Sequence, residues 1–249
     1  MDLQLADRVV LVTGGSRGIG RAVARLLARE DARVAITYRS GADAAAEVAG
    51  EIDGMAVRLD LADVASIRAA VGAVVERWGR LDVLVSNAMD PTGLTLFPPA
   101  RFEDVPTAAW QPFLRTNVDG PYAVAQAVVP AMRAQGFGRI VMVSGTSGLD
   151  GLPGAAPLAA AKAALHGLMR TLTKELGPDG ILVNVVLPGT TLTEHIAAVL
   201  PAAGRAAREQ ASPIRRLLAP EEVAPAIAFL GSPANTGVTG ELVRVSGGL

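Results

Sequence analysis

Val9-Val10-Leu11-Val12-Thr13-Gly14-Gly15-Ser16-Arg17-Gly18-Ile19-Gly20 decides the fold. The first part is a short β-branched run of the kind that forms a strand buried on both faces. A glycine-rich turn follows, and beyond Gly20 apolar residues recur at helical spacing. Glycines at 14, 18 and 20 permit a tight turn, close approach of backbone to a pyrophosphate, and close packing of helix on sheet. A helix starting there presents free N–H groups. Gly14, Ser16, Arg17, Gly18, Ile19 and Gly20 are therefore candidate ligands for the phosphates of a dinucleotide, because the loop directly follows a strand and opens a helix.

The same alternation continues to both sides. Strand-like runs lie at Val9 to Thr13, Arg33 to Tyr38, Met55 to Leu59, Val83 to Ser86, Arg139 to Val143, Leu182 to Leu187 and Leu242 to Val245. Helical patterns lie near Gly18 to Glu30, Gly41 to Ile52, Val64 to Trp78, Thr107 to Met132, Pro157 to Leu176 and Pro220 to Leu230. Apolar strands alternating with helices predict an α/β fold: a Rossmann-type, doubly wound parallel sheet of seven strands in a single domain, 1–249. Two stretches break the rhythm, 90–105 and 190–218. Each follows a strand's carboxyl end, where open parallel sheets bind ligands, so both are candidate substrate loops.

Composition removes several function classes. The 23 Lys+Arg against 24 Asp+Glu leave a net charge of -1, without the basic excess that nucleic acid requires. There is no cysteine, which excludes disulfides, thiolate metal sites and a cysteine nucleophile, and two histidines, His166 and His195, cannot make a histidine-rich metal centre. No stretch of about 18 apolar residues runs without a charge, and the acidic start Met1-Asp2-Leu3 lacks a secretory pattern, so a soluble cytoplasmic protein without membrane or nucleic-acid partners is expected. Charged residues are only 19% of the chain, low enough to expect that part of the surface is covered by oligomerisation.

The second strand speaks to the type of dinucleotide. An acid about 20 residues after the glycine loop would receive the ribose hydroxyl of NAD. Here the strand ends Thr37-Tyr38-Arg39-Ser40, with Arg39 and Ser40, helped by Arg17, suited to a 2′-phosphate. NADP(H) is expected over NAD(H).

Thr13-Gly14-x-x-x-Gly18-x-Gly20, Asp60-Leu61, Ser86-Asn87-Ala88, Asn117, Lys162, Pro188-Gly189 and the ending Thr239-Gly240-Glu241-Leu242-Val243-Arg244-Val245-Ser246-Gly247-Gly248 together resemble the short-chain dehydrogenases/reductases, nearest to the 3-oxoacyl-carrier-protein reductase type. The resemblance spans essentially the whole chain. It implies strand order 3-2-1-4-5-6-7, a nicotinamide cofactor over the carboxyl ends of the strands, and usually a homotetramer. It adds Asp60, Leu61, Asn87, Ala88, Lys162, Pro188 and Gly189 to the cofactor residues, and Asn117 and Lys162 to the catalytic set.

The catalytic pattern departs from that family, whose Asn-Ser-Tyr-Lys set has Tyr four residues before Lys and Ser thirteen before Tyr. With Lys162 as the lysine, Leu158 stands at the tyrosine position and Gly145 at the serine position. A slip of one residue would let Ser144 or Thr146 serve as the serine, but no tyrosine is near: Tyr38 and Tyr122 are the only two. Hydride transfer to a ketone leaves an alkoxide that needs a proton, and tyrosine supplies it because a neighbouring ammonium lowers its pKa. Leucine cannot. Glycine at 145 likewise lacks the hydrogen bond that serine donates to the developing oxyanion. Met89 replaces a glycine of the family's Asn-Ala-Gly turn and puts normal cofactor seating in question. Replacement acids are Asp90, Asp150 and His195, although each reads first as a loop polar residue; Tyr122 reads as a core residue and His166 as a helix-interface residue.

Three functions follow. One is an NADP(H)-dependent, ketoreductase-like oxidoreductase with a degenerate site, acting on a small-molecule or carrier-bound carbonyl or acyl thioester by a non-standard proton route. Another is a silent subunit in a hetero-oligomer with an intact related subunit. The last is a non-redox cyclase, dehydratase or isomerase on the same scaffold. In the second loop, Arg205, Arg208, Arg215 and Arg216 beside Glu194 and Glu209 read as a solvated face rather than a carrier-docking one.

Overall fold

Alternate residues of the first strand serve opposite faces of the sheet. In β1 (Val9–Val12), Val9 and Leu11 point into one apolar core, Val10 and Val12 into another, and all four are fully buried. That double burial is why the strand is a continuous apolar run. The computed structural model describes residues 1–92 and 101–249.

Around β1 the chain builds a seven-stranded parallel sheet from β2 (Arg33–Tyr38), β3 (Met55–Arg58), β4 (Val83–Ser86), β5 (Gly138–Val143), β6 (Ile181–Pro188) and β7 (Leu242–Val245), in the order β3-β2-β1-β4-β5-β6-β7. One face is covered by α3 (Val64–Trp78), α5 (Gly120–Gln135) and α7 (Ala156–Leu176), whose Ile67, Val124 and Met169 join the first core. The other carries α1 (Gly18–Arg29), α2 (Ala42–Glu51) and α10 (Pro220–Leu230), with Val23, Val48 and Ile227 in the second. The doubly wound sheet and its strand order are as expected. The connection reverses between β1 and β4, and the loops after these two strands face each other at the carboxyl edge.

Two helical expectations are corrected. The pattern from Thr107 to Met132 reads as one helix but forms α4 (Thr107–Leu114) and α5, separated by a π turn over Arg115–Asp119. Asn117 sits in that turn, and its side-chain amide donates to Phe113 O (3.0 Å). The 190–218 stretch contains α8 (Glu194–Val199) and α9 (Ala202–Ala211). Thr193 caps α8 by accepting from Ile196 N (3.3 Å), and Pro201 precedes α9. The first candidate loop, 90–105, is described only at its ends, and residues 93–100 lie outside the described residues. A four-residue helix, α6 (Ser147–Asp150), follows β5.

Candidate functional site

The loop after β1 is held to the loop after β4 by Thr13 and Asn87. Thr13 Oγ1 accepts from Asn87 N and Ala88 N (both 3.0 Å), while Asn87 Nδ2 donates to Thr13 O (3.0 Å) and Gly14 O (3.2 Å). Gly14 and Gly18 both have positive φ, +65° and +55°. At Gly20 a Cβ would stand 2.3 Å from Gly14 O and 2.6 Å from Asn87 Nδ2, so the last glycine is required by the close approach of helix to loop.

These elements wall a first cleft of about 440 Å³. Of the candidate cofactor residues, Gly14, Ser16, Arg17, Gly18, Ile19, Arg39, Ser40, Leu61, Asn87 and Ala88 border it. Gly20 serves from behind. Asp60 does not border the cleft; its carboxylate accepts from Ala62 N (2.9 Å) and shapes the turn that presents Leu61. On the opposite side stand Thr193, Glu194 and His195, and Tyr38 lies at the Arg39 end. Sequence reasoning missed Tyr38 and Thr193 as cleft residues; the Pro188-Gly189 turn five and four residues ahead of Thr193 was the only signal for the latter.

Both places suited to a phosphate hold a carboxylate of the chain itself. Gly18 N, at the start of α1, donates to Glu194 Oε2 (3.1 Å), and Arg21 makes a close ion pair with the same carboxylate. Arg39 makes a close ion pair with Asp90. The hydrogen bond from Arg39 to Asp90 raises the guanidinium's pKa. Burial pushes the Asp90 carboxyl upward, but hydrogen bonds from Thr92 and Arg39 outweigh it and leave it below the usual carboxylate range. The carboxylates stand in here for anionic groups. The donor set, an open helix N-terminus and an arginine at the end of β2, thus fits the phosphates of NADP(H), which would have to displace both.

A second cleft of about 640 Å³ opens onto the first, sharing Ile19, Asn87, Met89, Thr193 and His195 with it. Gly145, Ser147, Leu158, Lys162, Pro188 and Gly189 border it. Pro188 and Gly189 therefore face this cleft and not the first; Gly189 lies against Ser246, where a Cβ would stand 3.0 Å from Ser246 Cα. Lys162 Nζ donates to Val143 O (2.9 Å), and burial lowers its pKa to about 8. Leu158 packs with Phe113, Ala155 and Ala161, joined by Met89. An apolar wall thus stands where the family resemblance places tyrosine and glycine.

Asn117 is buried and fully engaged: Oδ1 accepts from Asp90 N (2.9 Å), and Nδ2 donates to Asp90 O (3.0 Å) as well as to Phe113 O. It fixes the backbone of the residue whose side chain meets Arg39. Ser144 is buried with its hydroxyl 3.1 Å from Lys162 O and 2.9 Å from His166 Nε2. Burial first, then Arg170 and Lys162, lower the His166 pKa, which favours its neutral form.

The replacement acids separate cleanly. Asp150 pairs with Arg244 (2.6 Å), Asp90 with Arg39, and Tyr122 is half-exposed on α5 without bordering either cleft. His195 borders both. In the second loop Arg205 pairs with Glu209 (2.8 Å), Arg216 with Glu222 (2.6 Å), and Arg208 donates to Gly204 O (3.1 Å). Among the described residues no cluster of metal-ligating side chains occurs, and no helix is long and apolar enough to cross a membrane.

Comparison with known proteins gives the same frame. A family model described as enoyl-(acyl carrier protein) reductase matches residues 14–249. A 3-oxoacyl-[acyl-carrier-protein] reductase of Vibrio harveyi is 36% identical over 249 residues, covering 99% of each chain. The cis-4-hydroxycyclohexanecarboxylate dehydrogenase of Sinomonas cyclohexanicum is 39% identical over 246 residues, covering 98% of this chain and 96% of that one. The crystal structure described as ribose-5-phosphate isomerase from Brucella melitensis 16M superposes with a TM-score of 0.90 at 30% identity, covering 100% of this chain and 94% of that chain. With this sheet, this glycine loop and full-length relatives at such identity, the chain belongs to the short-chain dehydrogenase/reductase family.

Proposed function

We propose that the protein is an NADP(H)-dependent reductase with a degenerate active site, acting on a carbonyl of a small-molecule or carrier-bound acyl-thioester substrate by a non-standard proton route. The observation that carries this reading is the pair of carboxylates seated on Gly18 N–H and Arg39: the cleft already binds an anion at each position where the phosphates of NADP(H) would lie. The bound dinucleotide would supply hydride. The chain's own residues do the rest. The α1 N-terminus and Arg39 hold the phosphates, and Asn117 fixes the Asp90 loop. Lys162 faces the second cleft beside Leu158, with its ammonium made more acidic by burial, and His195 stands at the junction. Either can pass a proton to an alkoxide formed there, in place of the missing tyrosine.

The reductase relatives that act on acyl-carrier-protein substrates support the substrate class. The test is NADPH oxidation by the purified protein with β-ketoacyl thioesters, run in parallel with NADH. Turnover with a preference for NADPH is expected; no turnover, together with none from the Leu158→Tyr/Gly145→Ser double variant, overturns the reading. A second reading, the silent subunit of a hetero-oligomer, has in its favour the apolar packing of Leu158 with Met89 and Phe113, which is complete without any catalytic group. Co-purification with a tyrosine-bearing related subunit would support it. The isomerase name of the structural relative favours the non-redox reading, which requires a product at the oxidation state of the substrate.

A further inference from the structure

The loss at Gly145 has a neighbour that offsets it. After β5 the chain turns sharply, Gly148 N donating to Gly145 O (3.0 Å) and Thr146 N to Pro188 O (3.0 Å), and this turn folds Ser147 back beside Gly145. A Cβ built on Gly145 would lie 3.5 Å from Ser147 Oγ, its other near neighbour being Pro188 O at 3.8 Å. The hydroxyl of Ser147 thus stands within van der Waals contact of the place from which a serine at 145 would project. It has no hydrogen-bond partner among the described residues, and Ser147 borders the same cleft as Leu158, Lys162 and His195. Ser144, the other serine of the segment, is committed to Lys162 O and His166.

We propose that Ser147 supplies the hydrogen bond to the substrate carbonyl oxygen that residue 145 cannot, so that the donor has moved two positions along the chain while keeping its place in space. This rests on the reductase reading. As the carbonyl carbon gains hydride from the reduced dinucleotide, the C–O π pair moves to oxygen, and the Ser147 O–H stabilises that negative charge while keeping its own proton. A separate proton, from the Lys162 and His195 side of the cleft, completes the alcohol; the carbonyl is reduced and the dinucleotide oxidised.

The inference predicts that one substitution restores a complete donor set. Leu158→Tyr alone should give NADPH-dependent reduction of acetoacetyl-coenzyme A, without Gly145→Ser. In that background Ser147→Ala should lower kcat by about 10- to 100-fold with KM little changed. Adding Gly145→Ser should then restore kcat to within a few-fold, a rescue that a structural role for Ser147 would not allow. Loss of kcat on Thr146→Val in the same background, with Ser147→Ala silent, would assign the donor to Thr146 instead and overturn the proposal. The proposal is overturned if Ser147→Ala leaves kcat of the Leu158→Tyr enzyme unchanged, or if Leu158→Tyr is silent while Leu158→Tyr/Gly145→Ser turns over. If no variant reduces the thioester, the reductase reading falls and this inference with it, a result distinct from the other two because activity is absent throughout.

Discussion

The guanidinium of Arg39, at the end of β2, is paired with the carboxylate of Asp90, which follows β4, and both border the first cleft. The ion pair joins the loops on either side of β1, and Asn117 holds its acidic partner by both backbone groups of residue 90. The residue that would read a 2′-phosphate is therefore occupied by an internal anion.

Asp90→Asn should strengthen NADPH binding and leave NADH binding nearly unchanged. Arg39 keeps about half of its side-chain surface exposed (48%), so the pair is worth about 0.2–1 kcal/mol, and freeing the guanidinium should lower the NADPH dissociation constant about 1.4- to 5-fold. Arg39→Ala should remove the preference for NADPH altogether. Fluorescence titration of both cofactors against the three proteins checks this, and an equal effect on NADH would show that Arg39 does not discriminate between them.

Glu194→Gln should behave differently. Its carboxylate sits on Gly18 N–H and Arg21, where the proposed reading seats the pyrophosphate that both cofactors share. Both should therefore bind more tightly, by similar factors of a few-fold, with their ratio unchanged. Because Glu194 opens α8, displacement of its side chain also frees the start of that helix, which hydrogen exchange of the 194–199 amides would register as faster exchange on NADPH addition. Protection of those amides instead would place α8 against the cofactor and contradict the displacement.

How much of this could be read from the sequence depends on the range of the contact. The inner strands were legible because double burial demands uninterrupted apolar runs, and the glycine loop because φ and close approach at Gly14, Gly18 and Gly20 tolerate little else. The interruption at Asn117 was invisible to periodicity, since the apolar residues of Thr107 to Met132 continue across the π turn and only the extra residue per turn shifts their phase. Glu194 was read as part of a solvated face, yet it reaches Gly18 across 176 positions, and no local pattern encodes such a contact. Ser147 was hidden for another reason. Spacing rules follow the backbone trace of relatives, whereas its hydroxyl reaches the site by a turn that brings residue 147 beside 145.

Lys162 makes stability rise with pH, the same direction as a carboxylate whose pKa is depressed on folding, but in an alkaline window instead of an acid one. Its pKa is about 8 in the folded chain and about 10.4 when unfolded, so between these values the unfolded chain binds more protons and stability rises with pH. Below about pH 8 both states are protonated and the full cost of burying the ammonium is present. Lys162→Met should raise the Tm at pH 7 by a few degrees, remove the rise between pH 8 and 10, and weaken cofactor binding. Thermal melts across pH 7–10 decide it; a Lys162→Met protein with lower Tm at pH 7 would mean that the bond to Val143 O outweighs desolvation.

Met89 tests whether the altered turn obstructs the cleft or merely lines it. Its side chain borders both clefts and packs on the Leu158 and Phe113 cluster, so Met89→Gly removes apolar contacts and adds backbone freedom. A partly buried methionine with a glycine replacing it should cost about 1–3 kcal/mol of stability. If the thioether obstructs the cleft, the same substitution should tighten NADPH binding despite the lower stability. Loss of stability with unchanged cofactor affinity would instead assign Met89 to the wall of the substrate cleft, where it and Leu158 would favour an apolar substrate chain over a polar one.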